Sequence, residues 1–452
     1  MLDIFLVVIL AILVLLGLRH PIIAFGAYMW ADLMTPQSIA FGMASTIPYS
    51  NIFAALTILS ILINRKRLSQ PTSWYILLII LLFLLWTQVT QTFSVNPVIA
   101  AFKLSWVTKS LGFSLVALVI VNSKATIEYF LLLFTTCVSY FSFSAGVKTM
   151  IGGGGYGLEL VRVAANNGLA ESSTLAGVAT ACIPFILFFY KYSTIFPPNR
   201  YFKFACICGL AVFLFGIIGT FARTGLVCLF ILFSCGFLIS KKKVLLIFTA
   251  VVVMIGLVSF AGEDWRSRMG TIFDEPSVED DGTLHIIGRT EVWLWTLDYS
   301  TRKPLGGGMD SYLENLGELA YYSKAFNVET QTAARAFHNI YMEVLGEQGY
   351  PGLFLYLSVL ILSIARLFRL RKPENWNGAD PETTAWATNL STACLVSFAI
   401  LLTMGMFVGV AYRLYVFVPV IAASGLSYMN RQYLREYLHD NPLGAIGRKS
   451  TY

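Results

Sequence analysis

One histidine and a few arginines hold most of the chemistry this sequence offers. His338 stands in Phe337-His-Asn-Ile-Tyr-Met-Glu343 and is one of four histidines. Imidazole titrates at about 6.5, which makes it the natural general base at neutral pH. Glu343 and Glu347 do not fall four residues from His338, so the spacing assigns it no orienting carboxylate. Arg223 stands in Gly219-Thr-Phe-Ala-Arg-Thr-Gly225, between two apolar runs. An arginine at a membrane boundary often only snorkels to the interface. In so apolar a stretch an unpaired guanidinium is costly and calls for a partner. Guanidinium is always charged and grips phosphate oxygens two at a time, so Arg223 reads as an anion clamp. Arg289 lies in Gly288-Arg-Thr-Glu-Val-Trp293, before the amphipathic stretch Thr290 to Tyr299. With Thr290 or a neighbour as cap, a helix N-terminus beside an arginine is a ready anion site. Arg413, between the last two apolar runs, and Arg162 are further cations suited to holding an anion, as are Arg302, Lys303 and Arg335.

Other features read as bland. The run Gly152 to Gly155 lacks the Gly-Lys-Ser/Thr ending of a phosphate loop and reads as a flexible connection. Glu279-Asp280-Asp281 reads as a solvated acidic turn before it reads as a cation site. The seven cysteines all lie in apolar runs, with neither a disulfide nor a zinc spacing, and read as small core residues.

The elements that must position these residues follow from composition. Of 452 residues, 57% are apolar and 13% charged, and the mean hydropathy is +0.70. Such a chain cannot cover a water-facing surface, so it is expected to be an all-α polytopic membrane protein. Apolar runs at 2–18, 21–34, 47–63, 74–90, 104–122, 127–147, 172–190, 204–219, 224–239, 244–260, 349–365, 389–411 and 414–429 suggest twelve to thirteen spans. The first carries no basic flank or small-residue cleavage site and reads as a retained anchor. Basic clusters at Arg65-Lys66-Arg67, 191–203, Lys241 to Lys243, Arg366 to Lys372, and Arg431 with Arg435 are separated by even numbers of spans. One topology therefore places them all in the cytoplasm. The formal charge of +7 then divides into about +13 inside and −6 outside.

The expected layout is an N-terminal bundle at 1–260, a large outer loop at 261–348, C-terminal spans at 349–430 and a cytoplasmic tail at 431–452. The outer loop holds 7 basic and 15 acidic residues and is too long to be structureless. It should form a small helical subdomain, with one helix capped by Asp310 through Leu319 and Ala320. A further helix should run from His338 to Gln348, ending at Gly349 before Pro351 opens the next span. Few ionisable residues lie in span interiors. Lys103, Arg223 and Arg413 fall at outer ends, and Asp32 and Lys109 slightly deeper. A transporter or lipid-glycan flippase would need a polar path through the middle. Cations and a histidine at the outer rim instead suit a membrane-embedded substrate with an anionic head, such as a lipid-diphosphate-linked sugar. Arginines would stabilise the leaving diphosphate, and a base would take a proton from an acceptor hydroxyl.

These residues, in this order, resemble the O-antigen ligase family, bacterial membrane glycosyltransferases with a GT-C-like fold. The matching pieces are Phe221-Ala-Arg-Thr-Gly225, Gly288-Arg289 with Trp293, Pro304-Leu-Gly-Gly-Gly308, and His338-Asn339 before a span. The opening segment, with Leu18-Arg-His-Pro21 and Trp30 to Pro36, is similar to the exosortase-associated O-glycosylation ligases, and the resemblance spans nearly the whole chain. It implies transfer of a glycan from undecaprenyl diphosphate at the periplasmic face of the inner membrane, without metal, cofactor or nucleic acid. By motif, Arg223 and Arg289 would hold the diphosphate and His338 would activate the acceptor. Asn339, Arg413 and Arg162 would add to substrate binding. Lipid A-core is the expected acceptor. A second lipid-linked glycan, as for an O-antigen polymerase, or a protein Ser/Thr, as for a protein O-oligosaccharyltransferase, would use the same donor machinery. A metal-dependent GT-C enzyme would need carboxylates in an early outer loop, and 35–46 has none.

Overall fold

A computed structural model describes residues 2–64, 73–151, 168–260, 289–322 and 333–440. They form fifteen α-helices and no strand. In order these are α1 (Leu2–Arg19), α2 (Pro21–Met34), the short α3 (Pro36–Ile39), α4 (Tyr49–Ile63), α5 (Trp74–Thr90), α6 (Pro97–Ile120), α7 (Lys124–Met150) and α8 (Ser172–Tyr192). Then come α9 (Arg200–Gly219), α10 (Arg223–Ile239), α11 (Lys243–Phe260), α12 (Arg289–Arg302), α13 (Ile340–Leu370), α14 (Pro381–Met404) and α15 (Leu414–Asp440). Each of the thirteen expected spans is a helix. Eight of the described helices are long and apolar enough to cross a membrane: α1, α5, α6, α7, α8, α9, α13 and α14. Apolar helices α2, α4, α10 and the described start of α11 are shorter. Large side chains such as Val98, Leu238 and Val244 stay more than 80% exposed. In a multi-pass membrane protein these are the lipid-facing surface, where burial inside the protein gains nothing.

Helix α8 is the centre of the bundle. It is apolar on all sides, as a helix enclosed by others must be, and almost every residue from Ser172 to Phe189 is buried. It packs on α7, α9, α10 and α14. Small residues allow the close approaches. A Cβ at Gly177 would collide with Met404 of α14, and one at Gly216 of α9 would come 2.6 Å from Ser142 of α7.

One end of the bundle is fastened by a buried carboxylate. Glu128, in the first turns of α7, is 1% exposed. It accepts hydrogen bonds from the backbone N–H groups of Thr194 and Ile195, the hydroxyls of Ser193 and Thr194, and Nε1 of Trp386. It thereby joins α7, the α8–α9 connection and α14. At the same end, α15 continues to Asp440, so the expected tail from 431 begins inside a helix. Its last turns are held by the α13–α14 connection, where Asn430 Nδ2 donates to the Asn375 carbonyl at 2.7 Å.

At the opposite end, residues 289–322 and 333–337 gather around a small separate core of Val292, Trp295, Tyr299, Leu319 and Phe337. The expected helix after Asp310 is not formed. Two 3-10 turns, Ser311–Asn315 and Leu319–Tyr322, take its place. Asp310 adopts φ +55° and makes no side-chain cap, because its carboxylate is turned to Lys103. Gly317, at φ +80°, lies between the two turns.

Glu128→Ala should leave several buried donors without an acceptor. Each unsatisfied buried group costs about 1–3 kcal/mol. The variant should therefore melt well below the wild type in detergent, and an unchanged melting temperature would show that the carboxylate does not fasten this end.

Candidate active site

His338 opens the site, and its position is fixed by the two residues on either side. The next residue, Asn339, caps α13. Its Oδ1 accepts from the backbone N–H groups of Tyr341 at 2.9 Å and Met342 at 3.2 Å, and its Nδ2 reaches the Met406 carbonyl at 3.4 Å. The preceding Phe337 is buried in the small core, and its carbonyl accepts from Trp293 Nε1 at 3.0 Å. Held between these anchors, His338 takes φ +45°, a left-handed conformation that costs a non-glycine residue about 1–2 kcal/mol. Such strain persists only where its surroundings enforce it, and it collects at functional sites.

The helix that follows is broken as the Gly349 and Pro351 pattern requires. Gly349 has φ +63° and ψ −167°, so α13 is a short segment from Ile340 to Gln348 and a long one beyond. The break frees carbonyls, and the Pro304 to Gly308 segment satisfies them. Gly307 N–H donates to the Gly346 carbonyl and Gly308 N–H to the Glu347 carbonyl, both at 3.0 Å. Tyr350 N–H donates back to the Pro304 carbonyl at 3.0 Å. A Cβ at Gly306 would lie 2.5 Å from the Glu347 carbonyl oxygen, and one at Gly349 would collide with that of Pro304. Glycine alone allows this approach.

Four charged side chains lie near enough to His338 to influence its proton. Enclosure of the ring lowers its pKa from the ordinary value and Arg289 lowers it further, while Glu171 and Glu343 pull it up and Arg335 pushes it down. The imidazole still meets solvent. Arg289 is the first residue of α12, so Thr290 lies inside that helix and any capping residue falls outside the described residues. The Arg289 guanidinium carbon is 5.9 Å from the centre of the Phe407 ring. Phe407 belongs to the 405–413 connection, which also carries Arg413. The Arg413 guanidinium lies over Trp106 of α6, its carbon 3.7 Å from the ring centre. A small polar pocket is formed by Asp32, Ser110, Arg413 and Tyr415.

Arg223 opens α10 after a turn in which Phe221 is left-handed, at φ +49°. Packing brings this turn to the same end of the bundle as His338. A Cβ at Gly225 would meet Ala176 near the start of α8, and α8 packs against Met404 at the end of α14. From there Ile340 N–H donates to the Gly405 carbonyl at 2.7 Å. The charge of Arg289 thus lies near enough to lower the pKa of His338, and Arg223 and Arg413 stand at the same end of the bundle. Arg302 and Lys303 are committed elsewhere, to Asp298 and Glu318 and to Glu314. Arg162, Gly152 to Gly155 and Glu279 to Asp281 lie outside the described residues.

Sequence reasoning missed a buried ionic cluster beneath His338. Lys103 Nζ lies 2.8 Å from Glu343 Oε1, 2.7 Å from Glu347 Oε1 and 3.4 Å from Asp310 Oδ1. Glu343 Oε2 also accepts from Ala411 N–H at 3.0 Å, and Glu347 Oε1 from Asp310 N–H at 2.9 Å. Lys103 was legible only as a cation at the outer end of a span, and its partners are more than 200 positions away. Glu171 was missed as well. It caps α8 through Ser173 and Thr174 while its charge faces His338. Among the described residues no group of three or more His, Cys, Asp or Glu is placed to hold a metal ion. The three carboxylates here converge on an ammonium.

The capping of α13 is separable from any contact Asn339 makes with a ligand. Asn339→Asp keeps the accepting oxygen, whereas Asn339→Ala loses a cap of about 1 kcal/mol. Thermal melts should rank wild type and Asp together above Ala. An alanine variant as stable as wild type would remove the capping role.

Comparison with known proteins adds a family to this geometry. Residues 1–194 match a family of unknown function (DUF5935). Residues 208–357 match the O-antigen ligase family, from the second half of the bundle into α13, a narrower extent than the resemblance suggested. No curated protein matches the chain. The matched stretch contains Arg223, Arg289, the glycine segment and His338 in the order already described, and in this stretch the chain is similar to the O-antigen ligase family.

Proposed function

We propose that the chain transfers a glycan from undecaprenyl diphosphate to an acceptor hydroxyl at the periplasmic face of a bacterial inner membrane. The observation that carries this reading is His338, left-handed and exposed at the rim of the bundle within the stretch that matches the O-antigen ligase family, with the charge of Arg289 near enough to lower its pKa. The acceptor oxygen attacks the anomeric carbon while the glycosyl C–O bond breaks. The bonding pair leaves with the diphosphate, and the hydroxyl proton passes to His338. Arg223 and Arg289 bind the diphosphate and stabilise the charge that grows on it. Arg413 and Arg162 supplement that field. Asn339 serves substrate binding indirectly, because its amide oxygen is spent on the helix cap. Lipid A-core is the acceptor we propose, with a second lipid-linked glycan or a protein Ser/Thr as the alternatives that the same donor machinery would serve. Reconstitution with lipid A-core, a second lipid-linked repeat and a pilin-like protein separates ligase from polymerase and protein-glycosylating activity.

His338→Ala should abolish transfer with donor affinity largely kept, and full activity in that variant would sink the base assignment. Arg223→Ala and Arg289→Ala should each weaken binding of undecaprenyl diphosphate, and Arg302→Ala should do much less. Equal losses in all three would point to a diffuse field in place of a clamp.

The pH profile tests the same pair. The neutral imidazole is the active form, so kcat/KM should fall as pH drops through the pKa of His338. Because that pKa is lowered, the limb should lie below about 6.5. Arg289→Gln removes a charge that lowers it, so the limb should move to higher pH. A limb that stays in place would separate the two residues.

A further inference from the structure

We infer that Lys103 is a positioning residue for the transfer reaction, acting through Glu343 on the helix that follows His338 and on the connection that carries Arg413. The inference rests on the assignment of His338 as the base. Lys103 stands in the second turn of α6, 11% exposed, and belongs to neither the subdomain nor the ligase stretch. Its ammonium meets carboxylates from two separate pieces of chain. Glu343 and Glu347 come from the short first segment of α13, and Asp310 from the turn that follows the glycine segment.

Each partner passes the constraint on. Glu343 lies five residues after His338, in the turn that Asn339 caps, and its second oxygen holds Ala411 N–H two residues before Arg413. Glu347 is fully buried and also accepts from Asp310 N–H, which locks the glycine segment against the break at Gly349. Tyr412 covers the cluster, with its ring centre 5.6 Å from Nζ. One ammonium thus sets where the candidate base and a candidate arginine stand relative to α6. An apolar side chain would serve packing as well or better, because a buried ion pair recovers little of its desolvation cost. What an apolar side chain lacks is direction. It does not tell three carboxylates where to point.

The test separates rate from affinity in the reconstituted enzyme. Lys103→Met keeps the length of the side chain and removes the charge. A small displacement of reacting groups can cost about a hundredfold in rate, so kcat should fall by about that factor. Affinity for undecaprenyl diphosphate should stay within about threefold, a shift of less than 1 kcal/mol. Lys103→Arg restores the charge and should recover much of the loss. A kcat for Lys103→Met within about twofold of wild type, less than 0.5 kcal/mol of barrier, would overturn the inference. So would a loss of affinity in step with the loss of rate. Should Lys103→Met fail to fold, Glu343→Gln decides. It keeps the shape and weakens the link, so the same split supports the inference and a normal kcat overturns it. His338→Ala distinguishes the two readings. Activity in that variant sinks the base itself, whereas an inactive His338→Ala beside a normal Lys103→Met sinks only the role of Lys103.

Discussion

A lysine ammonium among three carboxylates, at the boundary between the bundle and its outer subdomain, is the constraint on which the site depends. Taking such groups out of water is expensive, and their attraction repays the cost only when geometry is good and the remaining oxygens find donors. Here two backbone N–H groups add to the ammonium, Ala411 donating to the second oxygen of Glu343 and Asp310 to the Glu347 oxygen that Lys103 also meets. The ionic contacts therefore fix main chain as well as side chains. Breaking a buried pair by removing one partner costs about 3–5 kcal/mol. That is a large part of the stability of a typical domain, so the four pieces of chain are held in one arrangement.

The glycine segment and the left-handed residues answer to the same arrangement. The break at Gly349 turns a single membrane helix into a short segment at the rim and a long span. The short segment is the one Lys103 holds, and Gly306 to Gly308 lie along its freed carbonyls. Among the described residues four non-glycine positions have positive φ. Phe221 precedes the arginine of α10, Asp310 enters the ionic cluster, and His338 is the candidate base. Thr35 follows α2, the helix that brings Asp32 to the Arg413 pocket. Backbone strain therefore marks the rim and spares the spans, as expected where side chains must be aimed and not merely packed.

How much of this could be read beforehand depends on the range of the interaction. Apolar runs of spanning length report on burial residue by residue, so every expected span is a helix. The Gly349 and Pro351 break was equally legible, because both residues act locally on φ and on the missing N–H. Arg223 and His338 could be chosen by type and by place near span ends, and Arg289 by type and by place before an amphipathic stretch. Their joint position could not, since it depends on α8, α10 and α14 packing together. Lys103 with Glu343 is the clearest case of what spacing hides, because contacts across 240 positions leave no periodic trace. The helix expected after Asp310 failed for the same reason. Local pattern favoured a cap, and a distant ammonium captured the carboxylate instead. Glu171 carried no signal of its own in the sequence, since both its cap on α8 and its charge toward His338 come from folding.

The charges around His338 also bear on timing in the proposed reaction. Enclosure and Arg289 lower the pKa of the imidazole, against the opposing pull of Glu171 and Glu343. A neutral base suits the encounter with an acceptor hydroxyl, yet a base held too weakly would not take the proton. Arrival of a diphosphate changes the balance. In the proposed reaction its negative charge would offset the guanidinium of Arg289, which would then depress the imidazole less, so donor binding would strengthen the base. The same arginine would thus keep His338 available before the donor is bound and release its basicity afterwards. Because glycan and diphosphate arrive as one molecule, the base would reach full strength only when there is a glycosyl bond to break. An arginine that merely attracted the donor would serve from many places on the rim. One that also governs the proton must lie within electrostatic reach of the histidine, as Arg289 in the first turn of α12 does.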